Sequence, residues 1–271
     1  MPFATVRDLR MYYEIRGNGP RLLVISGTGG DLRRSPSIFE TSLAQHFEIL
    51  AYDQRGLGQT SRPDTPYTMA DYAEDANALL DAVGWNRSLV IGISFGGMVA
   101  QEYALRYPFR VERLVLASTS SGGAGGASYP LHELSDLTVE DYARRILCLS
   151  DTRRDAAWQT AHPDQFRGLL DQTLVGLQVG ANEPGRQVGA RRQLEARMRH
   201  DTFERLPALN MPIYICGGRY DGIATPANLE AMQKQIPGAR LELFEGGHLF
   251  FMQDLPAFGR IAAFLEGNLD R

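Results

Sequence analysis

The segment Gly92-Ile93-Ser94-Phe95-Gly96 is where residue types and spacing first suggest chemistry. A serine between two glycines, after an apolar run and before a helical pattern, has the setting of a nucleophile elbow. The serine must take a strained backbone so that its hydroxyl projects, and the glycines let strand and helix approach. A serine hydroxyl is a poor nucleophile and needs a base held by a third group. The five histidines are His46, His132, His162, His200 and His248. Only His248 directly follows a predicted strand, in Glu245-Gly246-Gly247-His248; the others read as surface or capping residues. The matching acid is Asp221, which follows the apolar run 213–216 through Gly217-Gly218-Arg219-Tyr220. Glu245 and Asp254 lie nearer to His248 and remain open as alternatives. Glu245 reads as a solvent-facing strand residue, and Asp254 as the N-cap or first-turn acid of the last helix. Two backbone N–H groups are expected to face a developing oxyanion. One belongs to Phe95, after the serine; the other to Thr28, in the loop Ser26-Gly27-Thr28-Gly29-Gly30. That loop is not a dinucleotide fingerprint, because its third glycine would fall on Leu32.

These residues need a scaffold of strand ends. Continuous apolar runs at 22–25, 49–52, 89–93, 114–117 and 213–216 read as parallel strands buried on both faces. The run 241–244 is a further strand, and 11–15 alternates like an antiparallel edge strand. Helical patterns alternate with them at 69–83, 98–107, 227–236 and 255–265, the first capped by Thr68 and ended by Gly84. That alternation predicts an α/β fold with a mostly parallel, doubly wound sheet. It breaks after the glycine-rich stretch 122–126, which reads as a flexible linker. Only helical patterns follow, at 139–149, 165–179 and 188–200. The expected organisation is one core, residues 1–121 and 207–271, with an inserted helical cap at 122–206.

With Asp53-Gln54-Arg55-Gly56-Leu57-Gly58 and Ser61, the elbow through Gly97, Gly218-Arg219-Tyr220-Asp221 and Gly246-Gly247-His248, the chain resembles the α/β-hydrolase superfamily. Within it, the chain resembles small bacterial esterases and the 3-oxoadipate enol-lactonase-like group. It departs from them at Ser26-Gly27, where that group often has His-Gly. The resemblance implies the α/β-hydrolase fold and the chain order Ser, Asp, His. It assigns the 53–61 segment to a structural turn. It also implies a serine hydrolase cleaving a carboxylic ester or lactone through an acyl-enzyme, with Ser94, His248 and Asp221 as its triad and no metal or organic cofactor. Serine at 94 excludes the aspartate-nucleophile branches. It leaves carbon–carbon bond hydrolases of ring-cleavage products, and a hydrolase-like ligand receptor, as alternatives.

Composition narrows the partners. The 271 residues are 44% hydrophobic and 22% charged, with a net charge of −4. No basic surface for nucleic acid or an anionic membrane is implied. Lys234 is the only lysine, and it follows Gln233, so no Gly-Lys-Ser/Thr phosphate loop exists. Cys148 and Cys216 have no Cys-x-x-Cys partners, which excludes a zinc knuckle. The N-terminal ten residues lack an apolar signal core, and no apolar run has the length of a membrane span. A cytoplasmic protein with a small-molecule ester or lactone as partner is expected, its oligomeric state open. Trp85 and Trp158 read as packing residues. The arginine-rich stretch 191–199 reads as a solvated helix face in preference to a site for a substrate carboxylate.

Overall fold

The computed structural model describes residues 2–269. Its strands are β1 (Phe3–Val6), β2 (Leu9–Arg16), β3 (Arg21–Ile25), β4 (Glu48–Tyr52), β5 (Ser88–Ile93), β6 (Val111–Ala117), β7 (Ile213–Gly218) and β8 (Arg240–Phe244). They form one sheet in the order β1-β2-β4-β3-β5-β6-β7-β8. β2 runs antiparallel to β1 and β4, and all pairs from β4 to β8 are parallel. β2 is therefore an interior strand; the edge belongs to β1, where Phe3 and Ala4 are half-buried, Thr5 exposed and Val6 buried, with no clear alternation.

The apolar runs divide by strand periodicity. Leu23, Ile25, Val90, Leu114 and Leu116 enter one core layer, whereas Leu22, Val24, Leu89, Ile91, Val115 and Ala117 enter the other. The first layer is closed by α2 (Met69–Ala82), α3 (Phe95–Arg106) and α8 (Pro226–Gln235), the second by the short α1 (Leu43–His46) and α9 (Pro256–Leu265). Helix α2 starts where its sequence says it should: Thr68 and Asp71 form a reciprocal capping box. Trp85 packs in the first layer.

Between β6 and β7 lie α4 (Val139–Ser150), α5 (Ala156–Ala161), α6 (Pro163–Gln178) and α7 (Arg186–Met198). Ala143, Leu147, Phe166 and Leu170 make a separate small core there, with Trp158 against it. The glycine-rich entry is not a loose linker. Residues Gly123–Gly125 form a 3-10 turn, and the Asn228 amide donates to the Gly126 carbonyl at 3.0 Å. Gly122 has φ 71°, and a side chain on it would collide with the His200 carbonyl, so close approach explains this glycine. Asp254 is not the N-cap of α9, which begins at Pro256 after Leu255; its carboxylate instead accepts the Glu245 N–H at 2.8 Å.

Candidate active site

Ser94 stands between β5 and α3 with φ 56° and ψ −118°, a strained backbone for a side chain that is not glycine. The elbow closes because its glycines leave no side chain in the way. A Cβ on Gly96 would lie 2.0 Å from the Ile25 carbonyl oxygen, and one on Gly92 2.4 Å from that of Gly96. The Ser94 N–H donates to Ala117 O at 2.8 Å, and its carbonyl accepts the Thr119 hydroxyl at 2.8 Å. The turn is thus held from the end of β6.

His248 and Asp221 come to Ser94 from the ends of β8 and β7. His248 Nε2 is 2.9 Å from Ser94 Oγ, and Nδ1 is 2.7 Å from Asp221 Oδ2. All three side chains are buried, with Ser94 and His248 each keeping 8% of their surface exposed. The other carboxylate oxygen, Asp221 Oδ1, accepts N–H groups of Ile223 at 2.7 Å and Ala224 at 3.0 Å. Glu245 is exposed and pairs with Arg219 at 3.0 Å, so neither it nor Asp254 takes the place of Asp221 beside the imidazole.

The loop after β3 lies against the serine: a Cβ on Gly27 would stand 3.3 Å from Ser94 Cβ and 3.8 Å from its Oγ. Thr28 follows. Phe95 supplies the first N–H of α3, which has no acceptor within the helix and sits at the helix's positive end. Asp53 and Arg55 do not reach into this site. Asp53 accepts Leu32 N–H and Gln59 N–H, each at 2.8 Å, and burial pushes its carboxyl up to about 6 against those bonds. Arg55 pairs with buried Asp75 at 2.8 Å and with Asp8 at 2.8 Å. The segment is a brace.

Several supports carry no motif. Ser118 Oγ donates to the His248 carbonyl at 2.9 Å. The C-terminal end of α4 binds both loops of the relay: Leu149 O accepts Gly222 N–H at 2.9 Å, and Ser150 O accepts His248 N–H at 2.6 Å. Gln253 Oε1 accepts Gly247 N–H at 2.6 Å while its amide donates to Asp151 Oδ2 at 3.1 Å. The run Ser118-Thr119-Ser120-Ser121 directly after β6 was the one available signal, since that strand neighbours the elbow strand.

The family model for the alpha/beta hydrolase fold matches residues 20–255. The chain belongs to the α/β-hydrolase fold family. This α/β-hydrolase is 29% identical to a poly(3-hydroxyalkanoate) depolymerase of Ectopseudomonas oleovorans, over 85% of its own chain and 78% of that protein. It is 24% identical to 3-oxoadipate enol-lactonase 2 of Acinetobacter baylyi, over 94% and 92% of the two chains. The crystal structure of the enol-lactonase from Burkholderia xenovorans LB400 superposes with a TM-score of 0.79, at 23% identity over 98% of this chain and 100% of that one. Among the described residues, no cluster of three or more His, Cys, Asp or Glu could hold a metal ion, and no helix is long and apolar enough to cross a membrane.

Of the other histidines, His46 sits at the end of α1 and pairs with Glu266 at 3.0 Å, and exposed His162 precedes α6 and stacks on Trp158. His200 is neither a surface nor a capping residue in this α/β-hydrolase. It is 6% exposed, and burial drives its pKa down to about 4, against the nearby Ser120 carbonyl and Glu102. The unfolded chain therefore takes up this proton first. The stability that neutral His200 contributes is present above its unfolded value of 6.5 and is lost as pH falls toward about 4. Between pH 7 and 4.5 that loss is on the order of 2 kcal/mol. Urea denaturation should show wild type losing more stability over this interval than His200→Gln by about this amount; parallel losses would contradict a buried neutral imidazole.

Proposed function

We propose that this chain is a serine hydrolase that cleaves a carboxylic ester or lactone through an acyl-enzyme. The observation that carries the reading is the continuous relay Ser94–His248–Asp221, with 2.9 Å and 2.7 Å contacts in a nearly closed site. Asp221 holds the Nδ1–H of the imidazole, which leaves the Nε2 lone pair facing the serine hydroxyl. His248 takes the serine proton as Ser94 attacks the carbonyl, then gives it to the leaving oxygen. Asp221 stabilises the imidazolium that forms between those events. The Phe95 and Thr28 N–H groups stabilise the tetrahedral oxyanion, the first aided by the positive end of α3. Water activated by His248 then clears the acyl-enzyme. The departure at Ser26 leaves this scheme intact, since both donors are backbone groups.

The relatives with matching names act on esters or lactones, a depolymerase of a polyester and an enol-lactonase. They support the bond class without naming the substrate. The segment 122–206 takes the part of a cap over this site, joined to the acid and base loops through the end of α4. Such a cap excludes water and selects the group that leaves.

The deciding experiment is steady-state turnover of a panel of p-nitrophenyl esters, lactones and ring-cleavage dienone acids, with and without EDTA. Turnover of esters or lactones that survives the chelator is expected. Turnover confined to the dienone acids transfers the same relay to carbon–carbon cleavage. Saturable binding with no turnover turns the protein into a receptor.

A further inference from the structure

Two buried hydroxyls stand side by side where β6 ends, and each is directed at a different member of the relay. Ser118 Oγ donates to the His248 carbonyl at 2.9 Å, and Thr119 Oγ1 to the Ser94 carbonyl at 2.8 Å. Both residues are fully buried. A hydroxyl is kept in such a place only where a partner satisfies it. The residue before them takes part as well, since Ala117 O accepts the Ser94 N–H at 2.8 Å. Three consecutive residues thus hold both polar main-chain groups of Ser94 and the carbonyl of His248.

The backbone bends to allow this. Neighbouring side chains of an extended strand point to opposite faces. Ser118 leaves that conformation with φ 46°, in the left-handed region that is unfavourable for serine. Among the described residues other than glycine, only Arg7, Ser94 and Ser118 have φ there. The elbow makes room from its own side: a Cβ on Gly97 would stand 2.5 Å from Thr119 Cβ. β6 lies between β5, which carries the serine, and β7, which carries the acid, and the Ser118 N–H donates to Cys216 O of β7 at 2.8 Å. The pair is therefore anchored in the sheet. His248, by contrast, follows two glycines on a loop, and its N–H is held by Ser150 O of the inserted α4 at 2.6 Å. Ser118 gives the imidazole a reference fixed in the core.

Resting on the reading of Ser94 as nucleophile and His248 as base, we propose that Ser118 and Thr119 are positioning residues that set the separation of the two. Their bonds go to main-chain carbonyls, not to reacting atoms. They fix the main chains from which Ser94 Oγ and His248 Nε2 project, and with them the 2.9 Å contact between those atoms. Proton transfer across such a contact falls steeply with small displacements. Ser118 carries the larger share, because the Ser94 carbonyl also accepts the Gly97 N–H of α3 at 2.9 Å.

The test uses Ser118→Gly, Ser118→Ala, Thr119→Val and Thr119→Ser, with kcat and KM for an activated ester expressed per site titrated to completion by a fluorophosphonate. Glycine suits the φ of Ser118 and lacks the hydroxyl, so it separates positioning from strain. Ser118→Gly and Ser118→Ala should both lose kcat on the order of 10–100-fold, with KM within about twofold of wild type. Thr119→Val should lose less, and Thr119→Ser, which keeps a hydroxyl, should stay near wild type. A per-site kcat of Ser118→Gly at the wild-type level, or a loss confined to KM or to melting temperature, would overturn the proposal. Should wild type neither turn over the ester nor take the fluorophosphonate, the hydrolase reading fails. Positioning is then decided by the downfield proton resonance of the His248 Nδ1–H, which requires only the folded relay. That resonance should move or broaden in Ser118→Gly and persist in Thr119→Ser; an unmoved resonance in Ser118→Gly counts against a positioning role.

Discussion

Ser94→Ala is expected to lower kcat/KM for an activated ester by ~10⁴-fold or more, with the fold unchanged. The size follows from how the relay is built. Ser94 Oγ is the group His248 Nε2 faces at 2.9 Å, so without it the imidazole has no nucleophile to deprotonate. Members of such a relay act as a unit, and the residual rate comes from binding and the oxyanion donors alone. Stability should move little. Alanine keeps the Cβ that already fits the elbow, and the φ of 56° is borne equally by serine and alanine. The bond removed is a single buried contact, worth about 1 kcal/mol. Activity and thermal melting should be measured on the same preparation. A variant that keeps near-wild-type turnover removes Ser94 from the mechanism, as does a stoichiometric fluorophosphonate adduct on another residue.

Much of this arrangement was legible because it rests on local signals. The continuous apolar runs mark strands buried on both faces, and period-two alternation then sends Leu22 and Leu23 to opposite layers without further information. Glycines at 92 and 96 announced a turn in which a helix meets a strand, and the structure shows them at 2.0–2.4 Å from backbone oxygens if given a Cβ. What stayed illegible depends on contacts between segments far apart. Nothing local distinguishes His200, buried at 6% exposure, from a surface histidine at a helix end. The glycines at 122–126 have the composition of a linker, yet Asn228, about a hundred residues later, pins their carbonyls. Arg197 hides in an arginine-rich stretch, and only its rotation on α7 separates it from the solvated Arg191 and Arg192. The C-terminal end of α4, which holds the Asp221 and His248 loops, uses backbone carbonyls, which every residue possesses.

The second large effect is expected from Asp221→Asn, and its logic lies in the two oxygens of the carboxylate. Oδ1 accepts the N–H groups of Ile223 and Ala224, whereas Oδ2 meets His248 Nδ1 at 2.7 Å. An asparagine in this site has one acceptor end and one donor end. The two backbone N–H groups are fixed donors, so they claim the amide oxygen. The amide NH₂ is then turned toward His248 Nδ1, where it can only donate. That bond selects the tautomer with its proton on Nε2, and an N–H now points at Ser94 Oγ where a lone pair is required. The geometry survives and the base is lost. A fall in kcat of about 10⁴-fold is expected, close to that for a missing triad acid, with little change in melting temperature. Asp221→Ala breaks the same relay differently: it leaves Ile223 and Ala224 N–H groups buried without acceptors, so it should also destabilise the fold by ~1–3 kcal/mol. Measuring rate and stability for both variants separates tautomer control from mere loop support. Should Asp221→Asn turn over near the wild-type rate, His248 is oriented by some other group, and Asp221 serves only to hold its own loop.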